Sequence, residues 1–134
     1  MTHQNTRFHS CHPAFVVRDL EAATRFYEDV IGLKKLWSWG EPVMRIGLGP
    51  ADDSSPPGFE LNLINNRSLG PSGTSFVYFT VSGVEAIYKR CLDKEADIYL
   101  ELGDRDWGMR DFRVSDPDGN RLGFGEALPN PTSA

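Results

Sequence analysis

Apolar positions along this chain switch between two periods, and the switches mark out its elements. Residues 13–17 form a short apolar run that reads as a strand. From Leu20 the spacing lengthens to that of a helix, with Leu20, Ala23, Phe26, Tyr27, Val30 and Ile31 on one stripe. Asp19 suits the N-cap and Gly32 a left-handed stop. Residues 34–39 and 43–48 read as short strands around a Gly40-Glu41-Pro42 turn, and 50–58 is a loop rich in Pro, Ser and Gly. Residues 59–64 alternate cleanly: Phe59, Leu61 and Leu63 on one face, Glu60 and Asn62 on the other.

After a polar connector, 65–74, the pattern starts again. Residues 75–81 are a strand. Ser82 and Glu85 have the spacing of a capping box for a second helix, whose stripe is Val84, Ile87, Tyr88, Cys91 and Leu92. A strand at 97–100 follows, then a two-armed ribbon. On its first arm Phe112 and Val114 alternate with Asp111, Arg113 and Ser115; on its second, Leu122 and Phe124 alternate with Arg121, Gly123 and Gly125. Between the arms, Asp116, Pro117 and Gly119 suit a type I turn closed by a residue at positive φ, giving a three-residue hairpin loop with a bulge. The glycines leave one ribbon face bare, with room for something other than side chains.

The order strand–helix–three strands therefore occurs twice, with Leu20 and Val84, at the two helix starts, 64 positions apart. Residue identity barely repeats, but the apolar pattern does. This predicts an α+β fold: two tandem βαβββ modules forming a curved sheet around a cavity, helices on the outer face. One domain is expected over 10–127, with modules at about 11–65 and 74–127 and flexible tails at 1–9 and 128–134. A half-module of this size struggles to bury its own face, so the core is shared between modules or with a second chain.

Composition narrows the partners. The 134 residues are 40% hydrophobic and 25% charged, ordinary for a globular protein. A net charge of -5 without any basic stripe argues against nucleic acid. No apolar run is long enough to span a membrane and no signal-peptide pattern opens the chain, so a cytoplasmic location is expected. Cys11 and Cys91 fit no zinc spacing. Cys91 falls on a helix stripe as a small buried hydrophobe, and Cys11 beside His12 reads as a partly covered strand-end residue, with a reactive thiol as the alternative.

The stretch from His12 to Leu20 with Phe26-Tyr27 and Ile31-Gly32-Leu33, and the endings Trp107-Gly108-Met109-Arg110-Asp111-Phe112 and Asp116-Pro117-Asp118-Gly119-Asn120-Arg121-Leu122, resemble the vicinal oxygen chelate superfamily. That superfamily contains glyoxalase I, extradiol dioxygenases, and fosfomycin- and bleomycin-resistance proteins; the resemblance is greatest to the bleomycin-resistance-like branch. It implies a divalent-metal site drawn from four strands. The first ligand position falls on His12 and the second on Glu60, which match. The third, usually histidine, falls on Phe76, and the fourth, usually glutamate, on Gly123. Neither offers a donor atom, and catalytic metal sites generally use three protein ligands or more. The expectation is no metal and no cofactor.

Strand parity assigns the concave face. His12, Glu60, Asn62, Phe76, Tyr78 and Arg113 point there, joined by Trp37, Trp39 and Arg45 from the first module and by Trp107, whose counterpart lies by the ligand in bleomycin-binding relatives. Aromatic walls with a few polar anchors make a small-molecule pocket. The reading is a metal-independent protein that sequesters an aromatic or cationic compound, such as an antibiotic, in a crevice of a homodimer. The alternative is a metal-dependent glyoxalase-like lyase or dioxygenase-like enzyme. A carboxylate left in the cavity without a metal needs a partner, and Arg45, Arg113 or His12 is expected to hold Glu60.

Overall fold

In a computed structural model the chain is described over residues 6–7, 9–52, 57–65 and 75–129. Most of the connector 65–74, part of the loop 50–58 and much of the expected tails lie outside the described residues. The first module is β1 (Ala14–Val17), α1 (Leu20–Phe26) continued by a π-helical turn (Tyr27–Ile31), β2 (Lys34–Trp39), β3 (Arg45–Gly49) and β4 (Leu61–Asn65). The second is β5 (Phe76–Thr80), α2 (Val84–Asp93), β6 (Asp97–Asp104), β7 (Met109–Ser115) and β8 (Arg121–Ala127).

Each module is a four-stranded mixed sheet with one helix, and the two sheets repeat one topology. The orders are β1-β4-β3-β2 and β5-β8-β7-β6, with the outer pairs β1–β4 and β5–β8 parallel and the remaining pairs antiparallel. Asp19 caps α1 as expected, its carboxylate accepting from the backbone N–H groups of Glu21 and Ala22. Gly32, at φ +87, ends the π-helical turn.

The helix-facing parity is as the alternation implies. Phe112, Val114, Leu122 and Phe124 are buried with Phe15, Val17, Leu61 and Leu63 in one shared core. Five rings run through it in sequence: Phe59 against Phe79, then Phe124, Phe112 and Tyr88, with successive centroids 4.9–5.5 Å apart. Phe59 belongs to the first module and the other four to the second, so the two halves share this core.

Four local expectations are corrected. The capping box does not form: Gly83, at φ +83, stands at the N-cap, and the N–H groups of Gly83 and Val84 donate to Glu126 of β8, both at 3.0 Å. A carboxylate arriving from a neighbouring strand replaces the local one. Leu92, assigned to the buried stripe, is exposed. The 97–100 strand extends to Asp104. Strand β4 starts at Leu61, which leaves Glu60 just before it.

Both ribbon turns share one construction. Gly119 N–H bonds the Asp116 carbonyl and Asp116 N–H bonds the Asn120 carbonyl, with Gly119 at φ +94. The 105–109 turn repeats this: Gly108 N–H to the Arg105 carbonyl and Arg105 N–H to the Met109 carbonyl, with Gly108 at φ +87. That second turn carries Trp107 at its tip.

Candidate ligand-binding site

The bare face of the β7–β8 ribbon is not empty. Tyr78 of β5 lies across it, so that a Cβ at Gly123 or Gly125 would collide with its ring. The glycines make room for a tyrosine of their own chain, which corrects the expectation of open space. The Tyr78 hydroxyl donates to Asp111 at 2.8 Å, and burial, followed by this bond, pushes its pKa up. Asp111 is fully buried and is held from its other oxygen by Arg105 Nε at 2.6 Å. Arg105 also donates to the backbone carbonyls of Glu101 and Asp111. Around this network stand the exposed rings of Phe76 and Trp107 and the Arg113 guanidinium, whose carbon lies 5.3 Å from the Phe76 centroid.

The first module repeats the arrangement of aromatic over glycine. Trp37 covers Gly47, where an added Cβ would collide with the indole. Trp39, paired across the strands with Arg45, is 65% exposed. Trp37, Trp39 and Arg45, with Ser38, line an open cavity of about 330 Å³. A second cavity of about 490 Å³ is lined by His12, Glu60, Cys11 and Phe59 among others. There His12 Nδ1 lies 3.7 Å from Glu60 Oε2, His12 Nε2 lies 3.1 Å from Ser10 Oγ, and the Asn62 amide reaches Glu60 at 3.4 Å. Of the partners expected for Glu60, His12 is near and neither arginine is within ion-pair distance.

The structure thus gathers the sequence-derived residues into three groups: His12, Glu60 and Asn62; Trp37, Trp39 and Arg45; and Phe76, Tyr78, Trp107 and Arg113. Sequence reasoning missed Arg105. It stands in a turn with nothing in its spacing to tie it to Asp111, six residues away. A further open groove, about 680 Å³, lies between α1 and the β2–β3 hairpin, lined by charges of both signs, and shares no residue with these groups.

His12 and Glu60 are close enough to begin a metal site, but the donor set does not complete one. Phe76 carries no ligating atom, and the side-chain space at Gly123 is taken by the Tyr78 ring. Among the described residues no cluster of three or more His, Cys, Asp or Glu is placed to hold an ion. The residues present do not fit the family's metal.

Two modules of one topology, helices outside and aromatic-lined concave faces, define the paired βαβββ architecture. Residues 10–124 match the model of the Glyoxalase/Bleomycin resistance protein/Dioxygenase superfamily, and the chain belongs to it. The match does not distinguish a branch within the superfamily. A comparison with curated proteins finds no match. Among solved structures the chain is similar to TioX from Micromonospora sp. ML1 (TM-score 0.74, 22% identity, covering 87% of this chain and 97% of that one). It is similar also to TnmS3, an antibiotic binding protein from Streptomyces sp. CB03234 (TM-score 0.73, 23% identity, 91% and 99%). A superfamily member from Sphaerobacter thermophilus DSM 20745 gives a TM-score of 0.75 at 18% identity, covering 90% and 98%. At these identities the likeness is one of fold. Among the described residues no helix is long and apolar enough to cross a membrane.

Proposed function

We propose that this protein binds and sequesters an aromatic small molecule without a metal ion. The carrying observation is what stands at the last two ligand positions of the family: an exposed phenylalanine stacked by Arg113, and a glycine covered by Tyr78. Both suit a flat apolar guest and neither suits a cation with oxygen or nitrogen ligands. Antibiotic binding, the role named for TnmS3, is the pattern this reading follows. In the proposed assembly a second copy of the chain completes the crevice, because Trp39, Met44, Phe76 and Trp107 are exposed large apolar side chains.

The test is a titration of the protein with planar two- and three-ring compounds, followed by tryptophan emission. Saturable quenching that weakens in Trp39→Ala or Trp107→Ala is the expected result. No saturable quenching by any ring probe overturns the reading. The closeness of His12 and Glu60 favours one other reading, a metal-dependent lyase or dioxygenase-like enzyme, and it requires a donor beyond those two.

A further inference from the structure

We propose that the concave face of the second module is an anion subsite, taking the carboxylate of an aromatic acid; this rests on the binding reading above and sets the charge of the guest. Two guanidiniums share that face. Arg121 pairs directly with Ser115 across β7–β8, and Arg113 stands two residues before Ser115, so both side chains project to the same side. Each is stacked on an exposed ring. Arg113 lies over Phe76 at 5.3 Å and Arg121 over Tyr99 at 4.9 Å, the rings being 48% and 39% exposed. Stacking fixes the plane of a guanidinium and leaves its edge N–H groups free to fork onto a carboxylate.

Neither arginine has a carboxylate within 4.0 Å among the described residues, although the chain carries more acids than bases. Arg18, Arg105 and Arg110 show the contrast, each bound to an aspartate at 2.6–2.8 Å. The one buried acid on the face, Asp111, is already engaged by Arg105 and Tyr78. Arg113 Nε is moreover buried with no hydrogen-bond partner among the described residues. A donor stripped of water and left unmatched is costly, so a small shift of this side chain toward an entering acceptor is favoured. The sequence alone left an aromatic or a cationic guest open and placed Glu60 with Arg45, Arg113 or His12. In the fold Glu60 sits beside His12 and Asn62, while the face that carries Phe76 and Tyr99 presents two arginines with no carboxylate within 4.0 Å among the described residues.

Three probes on one ring system test this: 2-naphthoate, neutral 2-naphthamide and cationic 2-naphthylmethylammonium, each titrated calorimetrically into the full chain. The expected order is naphthoate tightest, ahead of the amide by roughly tenfold, with the cation weakest. Arg113→Gln and Arg121→Gln should each weaken naphthoate by roughly tenfold, with naphthoate binding falling as salt rises, and Arg121→Gln should leave the amide unchanged. Arg121 is exposed, so its variant keeps the test open should Arg113→Gln fail to fold. Equal binding of the three, or preference for the cation, overturns the anion subsite while the aromatic-binding reading stands. If none of the three binds, the anion subsite falls, and the aromatic-binding reading falls with it only when the three-ring probes also fail to quench.

Discussion

The Tyr27 hydroxyl of the first module donates a 2.7 Å hydrogen bond to the Asp116 carboxylate in the hairpin of the second. Asp116 accepts three more bonds, from the Asn120 amide and from the backbone N–H groups of Asp118 and Asn120. The same hairpin meets the first module at further points, among them the Pro117 carbonyl, which accepts from the Arg18 guanidinium at 3.1 Å. The Asn120 amide donates to the Val16 carbonyl, and Asp118 takes the Arg18 guanidinium and backbone N–H. The Asp-Pro-Asp-Gly-Asn segment is therefore a clamp between modules. Tyr27→Phe leaves a buried carboxylate short of one donor and should lower stability by about 1–3 kcal/mol, read from urea midpoints.

The same carboxylate has a pH signature. Burial, the leading cause, raises the Asp116 pKa from the ordinary 3.8, with the bonds from Tyr27 and Asn120 opposing it. The folded chain then takes up this proton at higher pH than the unfolded chain. Its contribution is most favourable below 3.8 and is lost as pH rises through the raised folded value. The stability of wild type relative to Asp116→Asn should therefore fall with rising pH just above 3.8. A difference that rises through that window would contradict the direction.

Helix α2 takes its cap from another strand, which sets two substitutions against each other. Glu126→Ala removes the acceptor for two N–H groups and should cost about 1 kcal/mol, whereas Ser82→Ala should cost little. A larger loss at Ser82 in thermal unfolding would restore the local capping box.

Gly125 should resist a methyl group for a reason that Tyr78 supplies. Gly125→Ala is expected to destabilise by about 1–3 kcal/mol, because its Cβ meets the Tyr78 ring. In a Tyr78→Ala background the added cost of the alanine should nearly vanish, as a double-mutant cycle would show.

Metal and assembly are predicted together. Protein purified without chelator should carry no stoichiometric Ni, Zn, Mn or Fe by elemental analysis, because Phe76 and Gly123 add no donor to His12 and Glu60. Light scattering should return about twice the chain mass of 15.0 kDa.

The repeat of strand, helix and three strands was legible because apolar spacing is a local property of each segment, and it set both the fold and the helix-facing set from Phe59 to Phe124. Asp19, Gly32, Pro117 and Gly119 signalled their turns for the same reason: φ preferences and short side-chain bonds act within a few residues. Parity also put Tyr78, Asp111 and Arg113 on one face, but could not say what they meet there.

Packing between segments far apart in the chain decided the rest. Only the folded chain lays Tyr78 over Gly123 and Gly125, brings Glu126 to the start of α2, ties Arg105 to Asp111, and leaves Arg113 and Arg121 without a carboxylate within 4.0 Å among the described residues. These are contacts between side chains and backbone brought together by strand pairing. A hydrogen bond or ion pair exists only when both groups arrive within about 3–4 Å, a condition the order of residues does not contain.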